Sequence, residues 1–287
     1  MLPSKTGKLS RLYGGVRYTD KLLSIGRDEA FRIVNCHIDG SGNVYTRKGS
    51  RKLTTETVAS PGSGTSEIFE FARYTGDGVV YELLAVIGQT WVFINTSNGT
   101  LTTIAELTTA NKPSIVAFVD GSGNQIVILA NGEDFLQYSG EGNTATDMVT
   151  DFANDFVATY KPKYLAVYDN RLFAGGCLDT PNRVYASGLL DPTSWGALAY
   201  FSYDDGGDGE PVTGIGTMWS YLVVTKRNWV YIDTEGNPES DTLVQILVSS
   251  RFGCSSHWSI LTVGDAIYFV NERGVCRGVL RSVAADG

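Results

Sequence analysis

The sequence has few of the residues from which most enzyme and metal sites are built. In 287 residues it has two histidines and four cysteines, which are His37, His257, Cys36, Cys177, Cys254 and Cys276. The cysteines form no C-x-x-C pair and have no histidine at zinc-ligand spacing, which excludes the common zinc motifs. Scattered cysteines of this kind predict free thiols in a reducing compartment.

Long apolar runs are also missing. No stretch approaches the roughly 18 uncharged apolar residues of a membrane span. The N-terminus, MLPSKTGKLSRL, has a basic start but lacks the apolar core of a signal peptide. We therefore expect a protein that is made in a cytoplasm and has no membrane span.

Motifs for nucleotide binding and nucleophilic catalysis are absent as well. The glycine-rich stretches near Gly62, Gly121 and Gly207 are not followed by Lys-Ser/Thr or by a helix, and no G-x-S-x-G elbow occurs. These stretches therefore predict turns. His37 and His257 could serve as bases only if chain closure brought them together, and we expect each to be an ordinary half-buried polar residue.

The feature that is present is a repeated β-hairpin pattern of apolar run, polar turn and apolar run. Its copies are LLAVIGQTWVFI, IVAFVDGSGNQIVILA, YLAVYDNRLFAGG, YLVVTKRNWVYI and SILTVGDAIYFV, with turns near Gln89, Ser122, Asn170, Lys226 and Asp265. The turns are 33, 48, 56 and 39 residues apart, with a mean of 44. Repeats of roughly 40 to 50 residues that are apolar on both faces are typical of β-propeller blades, and a β-sandwich is the alternative.

We therefore predict an all-β chain in which residues 1–287 form a single six-bladed β-propeller-like ring of antiparallel sheets. The hairpin FRIVNCHIDGSGNVYTRKGS, with its turn at Asp39 to Asn43, is expected to complete the final blade, so that N- and C-terminal strands pair and remove two open edges. A whole blade is predicted from IFEFARY to TLTTIAEL. Apolar residues recurring at helical spacing predict a short helix between Ala145 and Val157.

Charge is unevenly distributed along the chain. Residues 1–52 contain 11 Lys and Arg against 4 Asp and Glu, whereas the remainder has 12 basic and 27 acidic residues. Such segregation indicates two surfaces with different partners. The alternative is that the basic N-terminal segment lies on the acidic body of its own chain.

Two further groups of residues could bind ligands. Residues 190–211 read as an acidic inter-blade loop, in which the carboxylates of Asp204, Asp205 and Asp208 could bind Ca²⁺, although a solvated acidic turn is the simpler interpretation. The five tryptophans could be platforms for sugars, but their places in or beside strands favour a core role. They are Trp91, Trp195, Trp219, Trp229 and Trp258.

A resemblance to a known family rests on four runs. These are PKYLAVYDNRLFAGG, NRVYASGLLDPTSW, GDGEPVTGIGTMWSYLVVTKRNWVYI and RFGCSSHWSILTVGDAIYFVNERGV. They resemble the body of the tail nozzle proteins, also called tail tubular or tail hub proteins, of short-tailed bacteriophages. The opening GGVRYTDKLLSIGRDEAFRIVNCHIDGSGNVYTRKGSRKL is similar to the start of that family, and together these runs cover about half of the chain in the family's order.

The resemblance implies a virion structural protein without catalytic residues or cofactors. Members form a hexameric ring below the portal and its adaptor, in the virion tail, and extend the channel through which DNA leaves. The acidic body would limit the transient, non-specific contact with double-stranded DNA, since basic side chains supply most of such affinity. The basic segment would meet the adaptor, through Arg11, Arg17, Lys21, Arg27, Arg47, Lys48 and Arg51.

Two other functions remain open at this point. A propeller hydrolase would need acids, histidines or a metal at the mouth of its central tunnel, but the residues at the five hairpin turns share no chemistry. We therefore expect no enzyme. A tail-tip adhesin that binds carbohydrate through exposed tryptophans is the third possibility.

Overall fold

A computed structural model describes most of the chain. The described residues are 15–16, 29–30, 36–38, 44–46, 67–75, 82–96, 98–140, 144–148, 161–203, 210–234, 237–238 and 245–279. The chain divides into two compact units, Met1–Lys52 and Leu53–Gly287. Within the described residues all regular structure is β, apart from one 3₁₀ turn at His257–Ser259. The all-β prediction is confirmed.

The first unit contains two small sheets. Strand β1 (Gly15–Val16) pairs in parallel with β2 (Glu29–Ala30). Strand β3 (Cys36–Ile38) pairs antiparallel with β4 (Val44–Thr46). The N-terminal hairpin predicted around Asp39 to Asn43 is therefore confirmed.

The second unit is a row of five antiparallel sheets in which sequential strands are neighbours. Sheet 1 contains β5 (Ile68–Tyr74), β6 (Glu82–Ile87), β7 (Thr90–Ile94) and β8 (Leu101–Glu106), and sheet 2 contains β9 (Ser114–Val119), β10 (Gln125–Ala130), β11 (Phe135–Tyr138) and β12 (Thr146–Asp147). Sheet 3 contains β13 (Tyr164–Tyr168), β14 (Arg171–Gly175), β15 (Arg183–Gly188) and β16 (Asp191–Ser202). Sheet 4 contains β17 (Val212–Met218), β18 (Tyr221–Lys226), β19 (Val230–Asp233) and β20 (Gln245–Ser249), and sheet 5 contains β21 (Leu261–Val263), β22 (Ala266–Asn271) and β23 (Gly274–Val279).

The repeat is more regular than the hairpin turns indicated. The first strands of the five sheets begin at Ile68, Ser114, Tyr164, Val212 and Leu261, which are 46, 50, 48 and 49 residues apart. The turns compared in the sequence are not equivalent, because those near Gln89 and Lys226 join second and third strands whereas the other three join first and second strands. The uneven spacing thus came from comparing turns at opposite ends of the sheets.

Each gap between successive sheets is filled by one apolar cluster. The four clusters join sheets 1 and 2, 2 and 3, 3 and 4, and 4 and 5. Strands in the middle of a sheet are consequently buried on both faces, and all five residues of β7 and all four of β19 are buried. This explains why the hairpins read as continuous apolar runs instead of alternating ones.

Two predicted elements are wrong in part. Most of the predicted loop at 190–211 is strand β16, because Trp195, Ala199 and Phe201 are buried in it against β15. The start of the helix predicted between Ala145 and Val157 is strand β12, which pairs with Leu136 and Gln137. The rest of that helix lies outside the described residues.

The row of sheets has an open end at sheet 5. Among the described residues this sheet has three strands where the other four have four, and β23 pairs with β22 alone. Among the described strands, β3 and β4 pair only with each other. Antiparallel four-stranded sheets in a propeller-like row are thus confirmed, whereas closure into a six-bladed ring stays a prediction.

The turn between β13 and β14 gives a test of the repeat's hairpin chemistry. Asp169 and Asn170 have φ of 47° and 55°, as a two-residue type I′ hairpin requires. We expect Asn170→Val to lower the free energy of unfolding by about 1–2 kcal/mol, because a β-branched residue is disfavoured in the left-handed region. Asn170→Gly should cause no loss in urea unfolding, and equal losses for both variants would contradict this account.

Candidate functional site

The open side of sheet 5 exposes apolar surface on both of its faces. A cavity of about 320 Å³ lies between sheets 4 and 5, where a fourth strand beside β23 would lie. It is lined by Val248 and Phe252 on one side and by Phe269, Cys276 and Val279 on the other. Val248 is 56% exposed and Phe252 is 43% exposed, and the described residues include no strand beyond β23 at this place.

The face of sheet 5 that points away from sheet 4 is also apolar. Ile267 and Phe269 point toward sheet 4, so the alternation of a strand places Val270 on the other face, opposite Val275. Leu261 and Val263 pair with residues of that same face, and all four side chains are exposed. Contiguous apolar surface of this kind marks a place where another element packs.

A second feature is the 3₁₀ turn at His257–Ser259, which leads into sheet 5 and packs against β17, the first strand of sheet 4. Ile260 and His257 lie against Gly214 and Gly216 of β17. A Cβ at Gly214 would lie 2.6 Å from Ile260 Cδ1, and a Cβ at Gly216 would lie 2.7 Å from Ile260 Cγ2. The Gly-x-Gly in β17 is therefore required for close packing of this turn.

His257 is held by hydrogen bonds at both ring nitrogens. Its Nδ1 accepts from the backbone N–H of Ile215 at 3.3 Å, so Nε2 carries the proton and donates to Ser114 Oγ at 3.1 Å. Ser114 Oγ also accepts from the backbone N–H of Leu165. Burial lowers the pKa of His257 to about 4, so that the ring is neutral at neutral pH. In this geometry His257 does not activate Ser114, because the nitrogen facing the hydroxyl is the protonated one.

Trp258, the next residue, anchors the same turn to the region before sheet 2. Its indole N–H donates to the carbonyl of Pro113 at 3.1 Å. Lys112 Nζ and Lys163 Nζ lie 5.7 and 5.8 Å from its ring centroid, as in cation–π contacts. A polar cavity of about 280 Å³ remains beside this turn, with Glu70 and Thr262 among its lining residues.

A buried carboxylate lies between sheets 3 and 4. Tyr203 donates its hydroxyl proton to Asp233 Oδ2 at 2.5 Å, and Asp233 Oδ1 has no hydrogen-bond partner among the described residues. Burial raises the pKa of Asp233 to about 7 and holds the pKa of Tyr203 well above its usual value. Sequence reasoning missed this pair, since the two residues are 30 positions apart, Tyr203 directly follows β16 of sheet 3 and Asp233 ends β19 of sheet 4.

The predicted site residues have different outcomes. The seven basic residues expected at the adaptor interface, Arg11, Arg17, Lys21, Arg27, Arg47, Lys48 and Arg51, lie outside the described residues, as do Asp204, Asp205 and Asp208. In the described ranges no group of three or more His, Cys, Asp or Glu could hold a metal ion. Both interpretations stay predictions.

The tryptophans are mostly core residues, as predicted. Trp91 and Trp195 are buried, and Trp229 and Trp258 are partly buried. Trp219 is different because its side chain is 66% exposed. It lies at φ of 55° in the turn between β17 and β18, where a large side chain is rarely found.

Comparison with known proteins supports the fold and gives no family. No family model and no curated protein matches the chain. Sqt1 of Saccharomyces cerevisiae, a propeller-like protein, is similar with a TM-score of 0.50 and 13% identity over 86% of this chain and 66% of that chain. The extracellular domain of the hybrid two-component system BT4673 of B. thetaiotaomicron gives a TM-score of 0.52 and 13% identity over 85% of this chain and 30% of that chain. These likenesses show a β-propeller-like fold.

Within the described residues, no helix is long and apolar enough to cross a membrane.

The buried Tyr203–Asp233 pair gives a prediction about how stability depends on pH. Because the pKa of Asp233 is raised in the folded protein, unfolding releases a proton between about pH 4 and pH 7, and the free energy of unfolding falls as the pH rises through this range. We expect Asp233→Asn to remove that fall, which is worth on the order of 1.4 kcal/mol per unit of pKa shift.

Urea unfolding at half-unit pH steps measures this effect. The exposed Asp265 supplies the control variant, since Asp265→Asn should leave the pH profile unchanged. Parallel profiles for the wild type and Asp233→Asn would contradict the proposed linkage.

Proposed function

We propose that this protein is a virion structural protein, the tail nozzle of a short-tailed bacteriophage, located below the portal and its adaptor. The observation that carries the proposal is the open end of sheet 5, where, in the described part of the chain, the outer edge of β23 pairs with no strand and both faces expose apolar side chains. Such surface is typical of subunits that assemble. The sequence resemblance supplies the class of assembly, a homohexameric ring that lines the channel for DNA.

Closure of the second unit into a six-bladed ring is part of this proposal. Among the described strands, each strand of the antiparallel hairpin β3–β4 has one edge without a pairing strand, and so does β23. Addition of the hairpin to β23 would give sheet 5 its missing outer strand and would cover Val248 and Phe252. The cavity beside Cys276 would then be filled by side chains of the added strand.

Charge supports the same function. The body of the chain carries 12 basic and 27 acidic residues, so a wall built from it would repel the phosphates of DNA more than hold them. The basic residues of 1–52 would contact the acidic surface of an adaptor and would steer assembly. No catalytic group and no cofactor is needed for this function, and Ca²⁺ at Asp204, Asp205 and Asp208 would be structural.

A carbohydrate-binding adhesin is the second candidate, and one observation favours it. The exposed indole of Trp219 could stack on a sugar ring, as aromatic platforms do. The indole N–H donates to the Gly264 carbonyl and so is not available to a sugar hydroxyl. A hydrolase at the tunnel mouth has no comparable support, because His257 is held in a structural role.

Hydrogen exchange tests the proposed closure. Strand β20 is the outer edge of sheet 4 and gives an internal standard for an open edge. If a fourth strand covers β23, the amides of Gly274–Val279 should exchange at least tenfold more slowly than those of Gln245–Ser249. Equal exchange in the two strands would show that β23 is an edge in solution and would contradict closure.

Composition of particles tests the nozzle. We expect this chain to sediment with particles from a producing culture, at about one copy for every two portal subunits by quantitative mass spectrometry, and to be labelled at the tail in images. A chain found only as soluble monomer, outside particles, would contradict the proposal. A chain found in particles but labelled at the tail tip would favour the adhesin.

A further inference from the structure

One end of the row of sheets is a continuous surface made of tight turns. The turns that join the first and second strands of sheets 2 to 5 lie here, together with the turn between β15 and β16. We call this surface the turn face, and it comprises Asp120–Asn124, Asp169–Asn170, Leu189–Asp191, Trp219–Ser220 and Gly264–Asp265.

Hydrogen bonds join these turns to one another. Leu190 accepts from the backbone N–H of Gly121 at 2.9 Å and donates its own N–H to the carbonyl of Asn170 at 2.8 Å. Tyr168 donates its hydroxyl proton to the carbonyl of Ser220, and Trp219 donates its indole N–H to the carbonyl of Gly264 at 2.9 Å. The turn face is therefore a connected surface and not a set of independent loops.

The turn face is both apolar and acidic. Trp219, Leu189 and Leu190 expose their side chains on it, with Leu189 57% exposed. Its charged residues are four aspartates, which are Asp120, Asp169, Asp191 and Asp265. The neighbouring Arg171 donates to the carbonyl of Ser187.

Positive charge in the described part of the second unit is concentrated elsewhere. Lys112, Lys161 and Lys163 lie at the opposite end of the sheets, next to the turns between second and third strands and the connections between sheets. Lys161 pairs there with Glu133 at 2.7 Å. The turn face therefore fits a partner that carries exposed basic side chains on a partly apolar segment.

We propose that the turn face binds the basic N-terminal segment, residues 1–52, of a second copy of this chain, through the residues on either side of the hairpin β3–β4, which stays with sheet 5 of its own chain. In the ring these basic residues then face a neighbouring subunit in place of the adaptor. The segment has 11 basic and 4 acidic residues, which complements the four aspartates of the face. It also contains apolar residues such as Leu12, Tyr13, Leu22 and Leu23, which could cover Trp219 and Leu189. A cyclic ring needs two different patches on each subunit, and these two surfaces supply such a pair.

This proposal rests on the proposed ring, and it identifies the two surfaces that would meet between neighbouring subunits. Attachment of the segment to the face of its own chain would satisfy the same charges without assembly, so the experiment must distinguish the two arrangements. A zero-length carbodiimide cross-linker is suited to this, because it joins a carboxylate directly to a lysine amine. Residues 1–52 offer Lys5, Lys8, Lys21, Lys48 and Lys52.

The experiment cross-links an equal mixture of unlabelled and ¹⁵N-labelled full-length chain. We expect mixed-isotope peptides that join Asp169, Asp191 or Asp265 to a lysine of residues 1–52. Peptides of one isotope alone would place the segment on its own chain and overturn the proposal. Links from Lys112 or Lys163 to these aspartates would indicate end-to-end stacking, and the absence of any link to them would also overturn it.

Matched variants measure the contribution of the face. Trp219→Gly with Asp169→Asn and Asp265→Asn removes an exposed apolar side chain and two charges, and glycine suits the positive φ of position 219. The control, Leu178→Gly with Glu106→Gln and Asp179→Asn, removes the same classes of exposed side chain at the opposite end. We expect the first variant alone to weaken self-association at least tenfold in sedimentation velocity and to reduce its salt dependence.

The outcomes separate this inference from the proposed function. If the wild type assembles and both variants assemble equally well, only the turn face is rejected. If the wild type stays monomeric at every concentration and is absent from particles, the ring is rejected together with its interface.

Discussion

The structure depends on one constraint, which is that each sheet must be covered on both faces. Apolar side chains leave the two faces of a strand such as β7 in opposite directions, so no single neighbour can bury them. A row of sheets solves this for every member except the first and the last. The four inter-sheet clusters follow from this arrangement, and each contains residues of both flanking sheets.

At each end of the row, one sheet therefore has a face that no other sheet of the row covers. Sheet 1 still buries Ala85, Val92 and Ile94 on the face that sheet 2 does not cover. In the described part of the chain, the outer face of sheet 5 is exposed instead. Its valines and the outer edge of β23 are the surfaces that remain to be packed. Self-closure and assembly are the two ways to cover them, and the proposed function uses both.

Much of the fold follows from the sequence because its signals are local. Apolar runs of β-branched and aromatic residues predicted all five hairpins, including the one that turns at Asp169-Asn170. Other features depend on contacts between distant residues. The alternation in β16 is interrupted by Pro192 and Gly196, so it read as a loop, and the position of each hairpin within its sheet could not be found from a turn alone. The Asp233–Tyr203 pair and the turn face exist only after sheets are placed side by side, although Gly-x-Gly in β17 was a readable sign of close packing.

The turn at His257–Ser259 has a consequence for how any conduit could be built. It connects β9 of sheet 2 with β17 of sheet 4. The His257 ring is hydrogen-bonded to Ser114 of β9 and to Ile215 of β17, and Ile260 packs against the glycines of β17. The cavity that remains beside this turn has a volume of about 280 Å³, which is far less than a double helix needs. If the proposed function is correct, DNA would therefore pass along an axis shared by several subunits, and each subunit would form one part of the wall.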